Sequence, residues 1–214
     1  MTAKIIDGKE IAQKIREELK AQVAELKKSY GIVPGLATVL VGDDPASHSY
    51  VGGKINTCQA LGIYSDHHEL PAETGEQELL ELIGKLNNDN KIHGILVQLP
   101  LPEHIDENKV LFAINPEKDV DGFHPVSIGR MIIGEAGFLP CTPAGIQELL
   151  IRSGTKIEGA DVVIVGRSNI VGKPVANILL QKQKGANATV TICHSRTRDI
   201  AAHTRRADIL IAAI

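Results

Sequence analysis

The sequence has only three cysteines, Cys58, Cys141 and Cys193, and they lie far apart. An odd number of cysteines at such wide spacing argues against a disulfide framework and against a Cys-x-x-Cys metal site. His67 and His68 are adjacent, so in an extended segment they would point to opposite faces and would not share a metal. We therefore expect no metal site, and a reducing cytoplasm as the compartment.

A block of basic residues and a long apolar run are missing as well. The formal net charge is −3, which argues against nucleic acid as a partner. Lys, Asp and Glu interrupt the apolar residues of the N-terminus, which excludes the apolar core of a signal peptide. No apolar run reaches the length that spans a bilayer. The sequence predicts a soluble protein that binds neither nucleic acid nor a membrane.

What the sequence does contain is an alternation of apolar strands and amphipathic helices, long enough for one large domain or two modest ones. A long helix is predicted over 9–30, with an inward-facing stripe of Ile11, Ile15, Leu19, Val23 and Leu26. Later helices are predicted from about Ala46 or Ser47, over 76–88, and over 144–152 after a loop at 139–143 that crosses between domains. Strands are predicted over 36–41, 63–70, 94–99, 162–165, 188–193 and 207–214.

The stretch from Asp161 to Ala176 is typical of a nucleotide-binding strand, turn and helix. Val162 to Val165 form a buried parallel strand that Gly166 ends, and Gly172 opens the next helix. Free backbone N–H groups at such a turn can hold a phosphate. Only two of the three glycines of the dinucleotide fingerprint are present, so an ordinary strand-to-helix turn is the alternative.

The end of the following strand favours NADP over NAD. In this fold an acidic residue there selects NAD, whereas basic residues accommodate the 2′-phosphate of NADP. His194 to Thr197 contain no acid, and Ser195, Arg196 and Arg167 can donate charge-assisted hydrogen bonds. The alternative for each arginine is an ordinary solvated surface charge.

Three side chains in the front half are candidates for a ligand site. Tyr50 and Lys54 lie four residues apart, hence on one helix face, and Gln98 ends a buried strand where open α/β sheets bind ligands. The alternatives are a tyrosine at a helix contact, a surface lysine and an amide satisfied by nearby backbone. Gly52 and Gly53 inside the same helix indicate either a close approach of backbone or a locally weak helix.

The turn-rich segment 116–125 carries two acids, Asp119 and Asp121. Two acids in this spacing could suggest a cation, but further oxygen ligands in loop spacing are lacking. Capping and turn hydrogen bonds are the plain alternative.

Five segments, in chain order, together resemble the bifunctional methylenetetrahydrofolate dehydrogenase / methenyltetrahydrofolate cyclohydrolase family. They are Ser47–Lys54, Val97–Pro102, Asp119–Pro125, Pro140–Pro143 and Gly166–Pro174. The resemblance implies an α/β protein of two domains. A three-layer folate-binding domain would cover residues 1–140, and a Rossmann-like NADP domain residues 141–214, with a cleft between them. It also implies a cytoplasmic homodimer that acts in one-carbon metabolism and purine biosynthesis.

The implied activity is NADP-dependent oxidation of 5,10-methylene-tetrahydrofolate, followed by hydrolysis of the methenyl product to 10-formyl-tetrahydrofolate. By resemblance, Lys54 is the catalytic lysine, Gln98 its hydrogen-bond partner and Asp121 the carboxylate that holds the pterin. Tyr50 would stack on the folate, with Val97 and Leu99 beside it. The implied NADP-binding residues are Gly166, Arg167, Ser168, Gly172, Ser195 and Arg196.

The chain departs from the family pattern at Gly53, usually a small polar residue, and at Ser127, usually asparagine. The family also continues beyond the position of Ile214, so we expect the NADP domain to be incomplete, and a chain that ended there to have little activity. The alternatives are a monofunctional dehydrogenase of the family and a non-catalytic folate- or nucleotide-binding module. A short-chain dehydrogenase also uses Tyr-x-x-x-Lys, but there the glycine motif comes first.

Overall fold

Two separate parallel sheets organise the chain. The computed structural model describes residues 3–214. They divide into a unit of residues Ala12–Val120 and a unit of Asp121–Ile214 with the described part of residues 1–11. Each unit has its own three-stranded parallel sheet. Within the described residues, no helix combines the length and the apolar character needed to cross a membrane.

The unit of Ala12–Val120 contains most of helix α1, three strands and three further helices. In chain order these are α1 Gly8–Tyr30, β1 Gly35–Val41, α2 Pro45–Leu61, β2 Tyr64–Leu70, α3 Glu76–Asn88, β3 Gly94–Val97 and α4 Glu107–Ala113. The strand order is β2-β1-β3, and β1 pairs in parallel with both neighbours. The continuous apolar sequences of β1 and β3 reflect burial on both faces.

Helices cover both faces of this sheet. Ala37, Val39 and Val41 of β1 pack in one apolar cluster with residues of α3 and α4. The alternating residues Thr38 and Leu40 are also buried, at 1% exposed each, and α2 packs against the same strand. This arrangement is the predicted three-layer domain.

The second unit repeats the pattern with a different set of elements. They are α5 Pro125–Ile133, α6 Cys141–Arg152, β4 Asp161–Val165, α7 Gly172–Leu180, β5 Thr189–Cys193, α8 Ile200–Thr204 and β6 Ile209–Ala212. The strand order is β5-β4-β6, all parallel. Val162 and Ile164 pack with Leu150 of α6 and with Val175 and Leu179 of α7. The predicted Rossmann-like topology is confirmed.

The predicted inward stripe of α1 is only partly correct. Val23 is buried, but Leu19 is 40% and Leu26 is 37% exposed, and Ile11 and Ile15 are half-buried. An amphipathic pattern shows which face of a helix is apolar, but not how much of the neighbouring structure reaches that face.

Several predicted boundaries also move. Strand β3 ends at Val97 and not at position 99, so Gln98 directly follows the strand. The predicted loop at 139–143 is wrong, because α6 already begins at Cys141 and Pro143 is buried in its first turn, where a proline loses no helical hydrogen bond. The last strand is shorter than predicted, Ile209–Ala212. The sequence interpretation missed α4, α5 and α8, which have seven, nine and five residues.

Candidate active site

Lys54 and Gln98 form a direct hydrogen bond at the carboxyl end of the first sheet. Lys54 Nζ donates to Gln98 Oε1 at 3.0 Å, and both side chains are half-buried. The other end of the amide is also used, since Gln98 Nε2 donates to the carbonyl of Leu99 at 2.7 Å. The backbone N–H of Gln98 donates to the carbonyl of Val39. The amide is therefore held at both ends, with its oxygen towards the lysine.

The start of α2 fixes where its side chains lie. Gly42 turns the chain after β1 with φ of 90°, and Asp44 caps the helix by accepting from the backbone N–H of Ser47 at 2.8 Å. Pro45 occupies the first turn, where it suits the helix. His48 Nδ1 lies 3.5 Å from Glu69 Oε1 on the edge strand β2. These contacts place the first turn of α2 over the end of the sheet.

Tyr50 and Lys54 line an open depression of about 460 Å³. The other lining residues are Arg16, Leu36, Ser49, Gly53, Thr57 and Cys58. Tyr50 is 69% exposed, so its ring face is available to a ligand. Burial raises the pKa of the Cys58 thiol, which keeps it protonated and unreactive at neutral pH. The polar chemistry of this depression therefore comes from lysine, arginine and hydroxyl groups.

The two residues beside Gln98 contribute differently. The side chain of Val97 is only 2% exposed and belongs to the apolar core, so a ligand can meet its backbone alone. Leu99 is half-buried and precedes Pro100 through a cis peptide bond. Asp121, the first residue of the second unit, is half-buried before Gly122, whose φ is 66°.

The glycines inside α2 are not required for close packing. A Cβ at Gly52 or Gly53 would meet no atom within 4 Å. No other part of residues 3–214 thus approaches the backbone closely at these two glycines, which agrees with the alternative of a locally weaker helix. Ser127, the other departure from the family pattern, is buried in the first turn of α5.

The turn after β4 requires its glycines. A Cβ at Gly166, where φ is 129°, would lie 1.9 Å from the carbonyl oxygen of Ala213, and a Cβ at Gly172 would lie 2.3 Å from the carbonyl oxygen of Gly166. Ser168 Oγ accepts from the backbone N–H groups of Val171 and Gly172 at 3.1 and 3.2 Å. A neutral hydroxyl thus caps α7, and Arg167 and Ser168 are exposed.

The turn after β5 is held by His194. Its Nδ1 accepts from the backbone N–H of Arg196 at 3.1 Å, and its own backbone N–H donates to Thr197 Oγ1 at 2.9 Å. Ser195 and Arg196 lie exposed at the tip. The two turns of this unit therefore offer two arginines and two serines, side-chain donors that fit phosphate groups, whereas the first N–H groups of α7 already donate to Ser168.

Comparison with known proteins identifies the family. The sequence model described as tetrahydrofolate dehydrogenase/cyclohydrolase, catalytic domain, matches residues 6–121. The model of the NAD(P)-binding domain of the same family matches residues 140–214. The chain belongs to the tetrahydrofolate dehydrogenase/cyclohydrolase family. The resemblance found in the five sequence segments is confirmed, and so is the enzyme class.

Individual members of the family are similar over the whole chain. The bifunctional protein FolD of Dehalococcoides mccartyi (strain CBDB1) is 69% identical over 214 residues, which cover this chain fully and 72% of that protein. The crystal structure of bifunctional FolD from Campylobacter jejuni has a TM-score of 0.92 at 48% identity, covering 98% of this chain and 73% of that one. A Trypanosoma brucei methylenetetrahydrofolate dehydrogenase-cyclohydrolase complexed with NADP cofactor and inhibitor has a TM-score of 0.91 at 40% identity, covering 100% and 72%.

The structure brings the predicted residues of the family together in two groups. Tyr50 and Lys54 line one depression, and Lys54 is hydrogen-bonded to Gln98, which follows β3. The predicted cofactor residues lie on the two turns of the second unit. Sequence reasoning missed Arg16, because an arginine on a long charged helix carries no signal of the depression that it lines. His194 and Asp44 lie in turns that the sequence indicates, but the hydrogen bonds by which they hold those turns were not predicted.

Proposed function

We propose that the chain catalyses NADP-dependent oxidation of 5,10-methylene-tetrahydrofolate to 5,10-methenyl-tetrahydrofolate, and hydrolysis of that product to 10-formyl-tetrahydrofolate. Membership of the family over both of its domain models supports the two reactions. The single observation that carries the proposal is the hydrogen bond of 3.0 Å between Lys54 and Gln98 beside Tyr50. It gives the folate site a proton-transfer group held in one position.

Lys54 is the proposed acid–base group. In the hydrolysis, a water molecule adds to the methenyl carbon and loses a proton as it adds. A ring C–N bond then breaks. An amine within reach of that carbon can take the proton from water and return it to the leaving nitrogen. Gln98 keeps the amine in place through its oxygen, while its own Nε2 stays on the carbonyl of Leu99.

The remaining substrate contacts follow from side-chain chemistry. The exposed ring of Tyr50 would stack on the aromatic part of the folate. Asp121 would accept two parallel hydrogen bonds from the aminopyrimidine edge of the pterin. Val97 would contact the substrate through its backbone, and Leu99 through its partly exposed surface.

The residues of the second unit fit NADP. The close packing at Gly166 and Gly172 keeps the turn free of side chains, and the neutral cap of Ser168 adds no negative charge there. Gly166, Ser168 and Gly172 would hold the diphosphate, whereas Arg167, Ser195 and Arg196 would hold the 2′-phosphate. When bound, NADP accepts the hydride that leaves the methylene carbon. These residues orient it for that transfer.

Several finer features belong to the same proposal. The folate-binding domain is proposed to cover residues 1–140 and the NADP domain residues 141–214. The enzyme is proposed to act as a homodimer in the cytoplasm and to supply one-carbon units to purine biosynthesis. Nucleic acid and membranes are not expected as partners, consistent with the net charge of −3.

The test of the hydrolytic step is Lys54→Met. Purified protein is expected to form NADPH from 5,10-methylene-tetrahydrofolate, measured by absorbance. The variant should lower hydrolysis of the methenyl compound at least about 100-fold, the usual contribution of a positioned acid–base group. Its affinity for NADP should remain close to that of the unsubstituted protein.

Lys27→Met is the matched control, because Lys27 lies in the last turn of α1 and is exposed. This variant should hydrolyse the methenyl compound at the normal rate. Unchanged hydrolysis in Lys54→Met would remove Lys54 from the mechanism. A protein that binds folate and NADP without forming NADPH would instead be a binding module.

Cofactor choice is tested by Arg196→Asp. A carboxylate in place of the guanidinium would repel the 2′-phosphate, which only NADP carries. We expect the Kd of NADP to rise about tenfold and that of NAD to stay within about twofold, as for one exposed charge pair with its sign reversed. An equal loss for both cofactors, measured by fluorescence titration, would rule out a 2′-phosphate contact.

A further inference from the structure

The imidazole of His194 closes the turn that follows β5. Its Nδ1 accepts a hydrogen bond from the backbone N–H of Arg196 at 3.1 Å. The backbone of His194 closes the same turn twice, since its N–H donates to Thr197 Oγ1 at 2.9 Å and its carbonyl accepts from the N–H of Thr197 at 2.8 Å. Of these three hydrogen bonds, only the first depends on the side chain at position 194.

Both ends of this turn are attached to the rest of the second unit. Cys193, the last residue of β5, is 0% exposed, and its carbonyl accepts from the N–H of Gly166 at 2.8 Å. On the other side, the carboxylate of Asp199 caps α8 by accepting from a backbone N–H in its first turn at 3.1 Å. The exposed tip between these attachments consists of Ser195 and Arg196.

The hydrogen bond to His194 restricts the direction in which the side chain of Arg196 leaves the tip. A peptide group is planar, so an acceptor that holds the N–H of Arg196 fixes the whole plane between Ser195 and Arg196. The directions of both side chains are then restricted, because both Cα atoms lie in that plane. A phosphate contact benefits from this order, since a guanidinium binds phosphate best through two parallel N–H groups.

We propose that His194 is a positioning residue that makes this turn selective for NADP over NAD. The inference rests on the proposed function, in which Ser195 and Arg196 bind the 2′-phosphate. His194 acts through the backbone of Arg196, so that the guanidinium meets the phosphate with less conformational entropy to lose. NAD has no 2′-phosphate and gains little from the ordered tip. The role requires an acceptor at the position of Nδ1, and not an imidazole ring as such.

The first experiment compares His194→Ala with His194→Asn in the full chain. Alanine removes the acceptor, so the Kd of NADP should rise about 3- to 10-fold and that of NAD by less than about twofold, measured by fluorescence titration. Retained NAD binding also reports that the second unit is folded. Asparagine should keep the Kd of NADP within about twofold, because its side-chain oxygen can accept from the N–H two residues further on.

NADPH formation provides a second measurement on the same variants. His194→Ala should raise the KM for NADP by a factor similar to the rise in Kd. It should leave kcat unchanged, because the hydride goes to the nicotinamide and not to the adenosine end of the cofactor.

The next experiment tests whether His194 acts through Arg196. His194→Ala should weaken NADP binding much less in the Arg196→Ala background than in the unsubstituted chain, because the group that it positions is then missing. The matched control is His93→Ala, since His93 Nδ1 accepts from the backbone N–H of Gly35 at 3.0 Å at the start of β1. This variant loses the same kind of hydrogen bond and should leave both Kd values unchanged.

Four results would overturn the assignment. Two concern His194→Ala alone: an unchanged Kd of NADP, or equal losses of NADP and NAD. The third is an affinity of His194→Asn as low as that of His194→Ala, which would mean that the imidazole itself meets the ligand. The fourth is an additive effect of His194→Ala and Arg196→Ala. A chain that binds NADP more tightly than NAD but forms no NADPH would contradict the proposed reaction and leave the role of His194 supported.

Discussion

The connection from β1 to α2 and the connection from β4 to α7 use the same construction. Both central strands end in a glycine with positive φ, Gly42 at 90° and Gly166 at 129°. In both, the glycine N–H donates to the last carbonyl of the neighbouring strand, at 2.9 Å to Leu70 and at 2.8 Å to Cys193. The two sheets also share one strand order, with the first strand in the centre.

The difference lies in the group that caps the helix. Asp44 places a carboxylate at the start of α2, whereas Ser168 places a neutral hydroxyl at the start of α7. A carboxylate already complements the positive end of the helix and repels any further anion. The first connection carries Lys54 on its helix, whereas at the second the first N–H groups of the helix donate to the uncharged Ser168. The same supersecondary unit is thus built with a charged acceptor at the start of one helix and an uncharged acceptor at the start of the other.

The two glycines should differ most in how they respond to alanine. Gly166→Ala drives a Cβ to 1.9 Å from a backbone oxygen, whereas the nearest atom to a Cβ at Gly42 is 3.7 Å away. We expect Gly166→Ala to cost about 3–5 kcal/mol of unfolding free energy. Gly42→Ala should cost about 1–2 kcal/mol, from its backbone conformation alone. Urea denaturation of both variants measures the difference, and equal losses would show that the two turns are equally permissive.

Replacing Ser168 by aspartate should give the connection from β4 to α7 the same kind of charged acceptor that Asp44 provides between β1 and α2. Ser168→Asp keeps an acceptor for the helix N–H groups but adds a negative charge where a phosphate would bind. We expect NADP affinity to fall at least about tenfold, with little change in stability. Asp44→Ser, the reciprocal change, should leave NADP affinity unaltered. Isothermal titration calorimetry measures the affinity of both variants for NADP. An unchanged affinity in Ser168→Asp would contradict the prediction.

The glycines within the two helices provide a smaller contrast. Gly53 of α2 is exposed with nothing near its Cβ position, so Gly53→Ala should stabilise the protein by about 0.5–1 kcal/mol. Gly172 of α7 has no such space, and Gly172→Ala should destabilise it. Thermal unfolding would show shifts of opposite sign. A destabilised Gly53→Ala variant would mean that α2 requires the glycine for another reason.

The charge on the cap of α2 should give the smallest effect, visible only in acid. A hydrogen bond from the Ser47 side chain, with its backbone N–H, lowers the pKa of Asp44 from its usual value of 3.8. A carboxyl group whose pKa is lowered by folding stabilises the folded protein at a pH above the unfolded-state pKa. This stabilisation is lost as the pH falls through the folded-state pKa. The unsubstituted protein should therefore exceed Asp44→Asn in stability at pH 6, and the difference should shrink as the pH falls below 3.8 and vanish once Asp44 is protonated in the folded protein. A difference that did not shrink at all as the pH fell below 3.8 would show that the charge is not its source.

The sequence predicted secondary structure best for the strands that are buried on both faces. The β-branched run of β4 and the apolar runs of β1 and β3 required no tertiary knowledge, because a strand buried on both faces has no polar positions. Helix α3 was predicted at its observed bounds, Glu76–Asn88, since its apolar residues recur at helical spacing. The local patterns selected Lys54 and Gln98 separately, the family resemblance paired them, and the structure shows their hydrogen bond at 3.0 Å.

The structural features that the sequence did not predict depend on contacts with other parts of the chain. Helix α5 follows the turn-rich segment before it, and its start at Pro125 is capped by His124, a residue type that rarely signals a helix start. The exposure of Leu19 and Leu26 on α1 depends on neighbours that no local pattern encodes. Arg16 is similar, because its place beside Tyr50 results from the packing of two helices.

The two-sided attachment of Gln98 has a consequence for the direction in which Lys54 can act. If the amide of Gln98 were turned over, its NH₂ donor would face the lysine ammonium and its oxygen would face the carbonyl oxygen of Leu99. Both contacts would be repulsive, so the amide oxygen continues to face Nζ of Lys54. When the amine is neutral, that oxygen retains one of its N–H bonds. The nitrogen lone pair then cannot point at the amide oxygen, which leaves it available to a water molecule on another side of the amine.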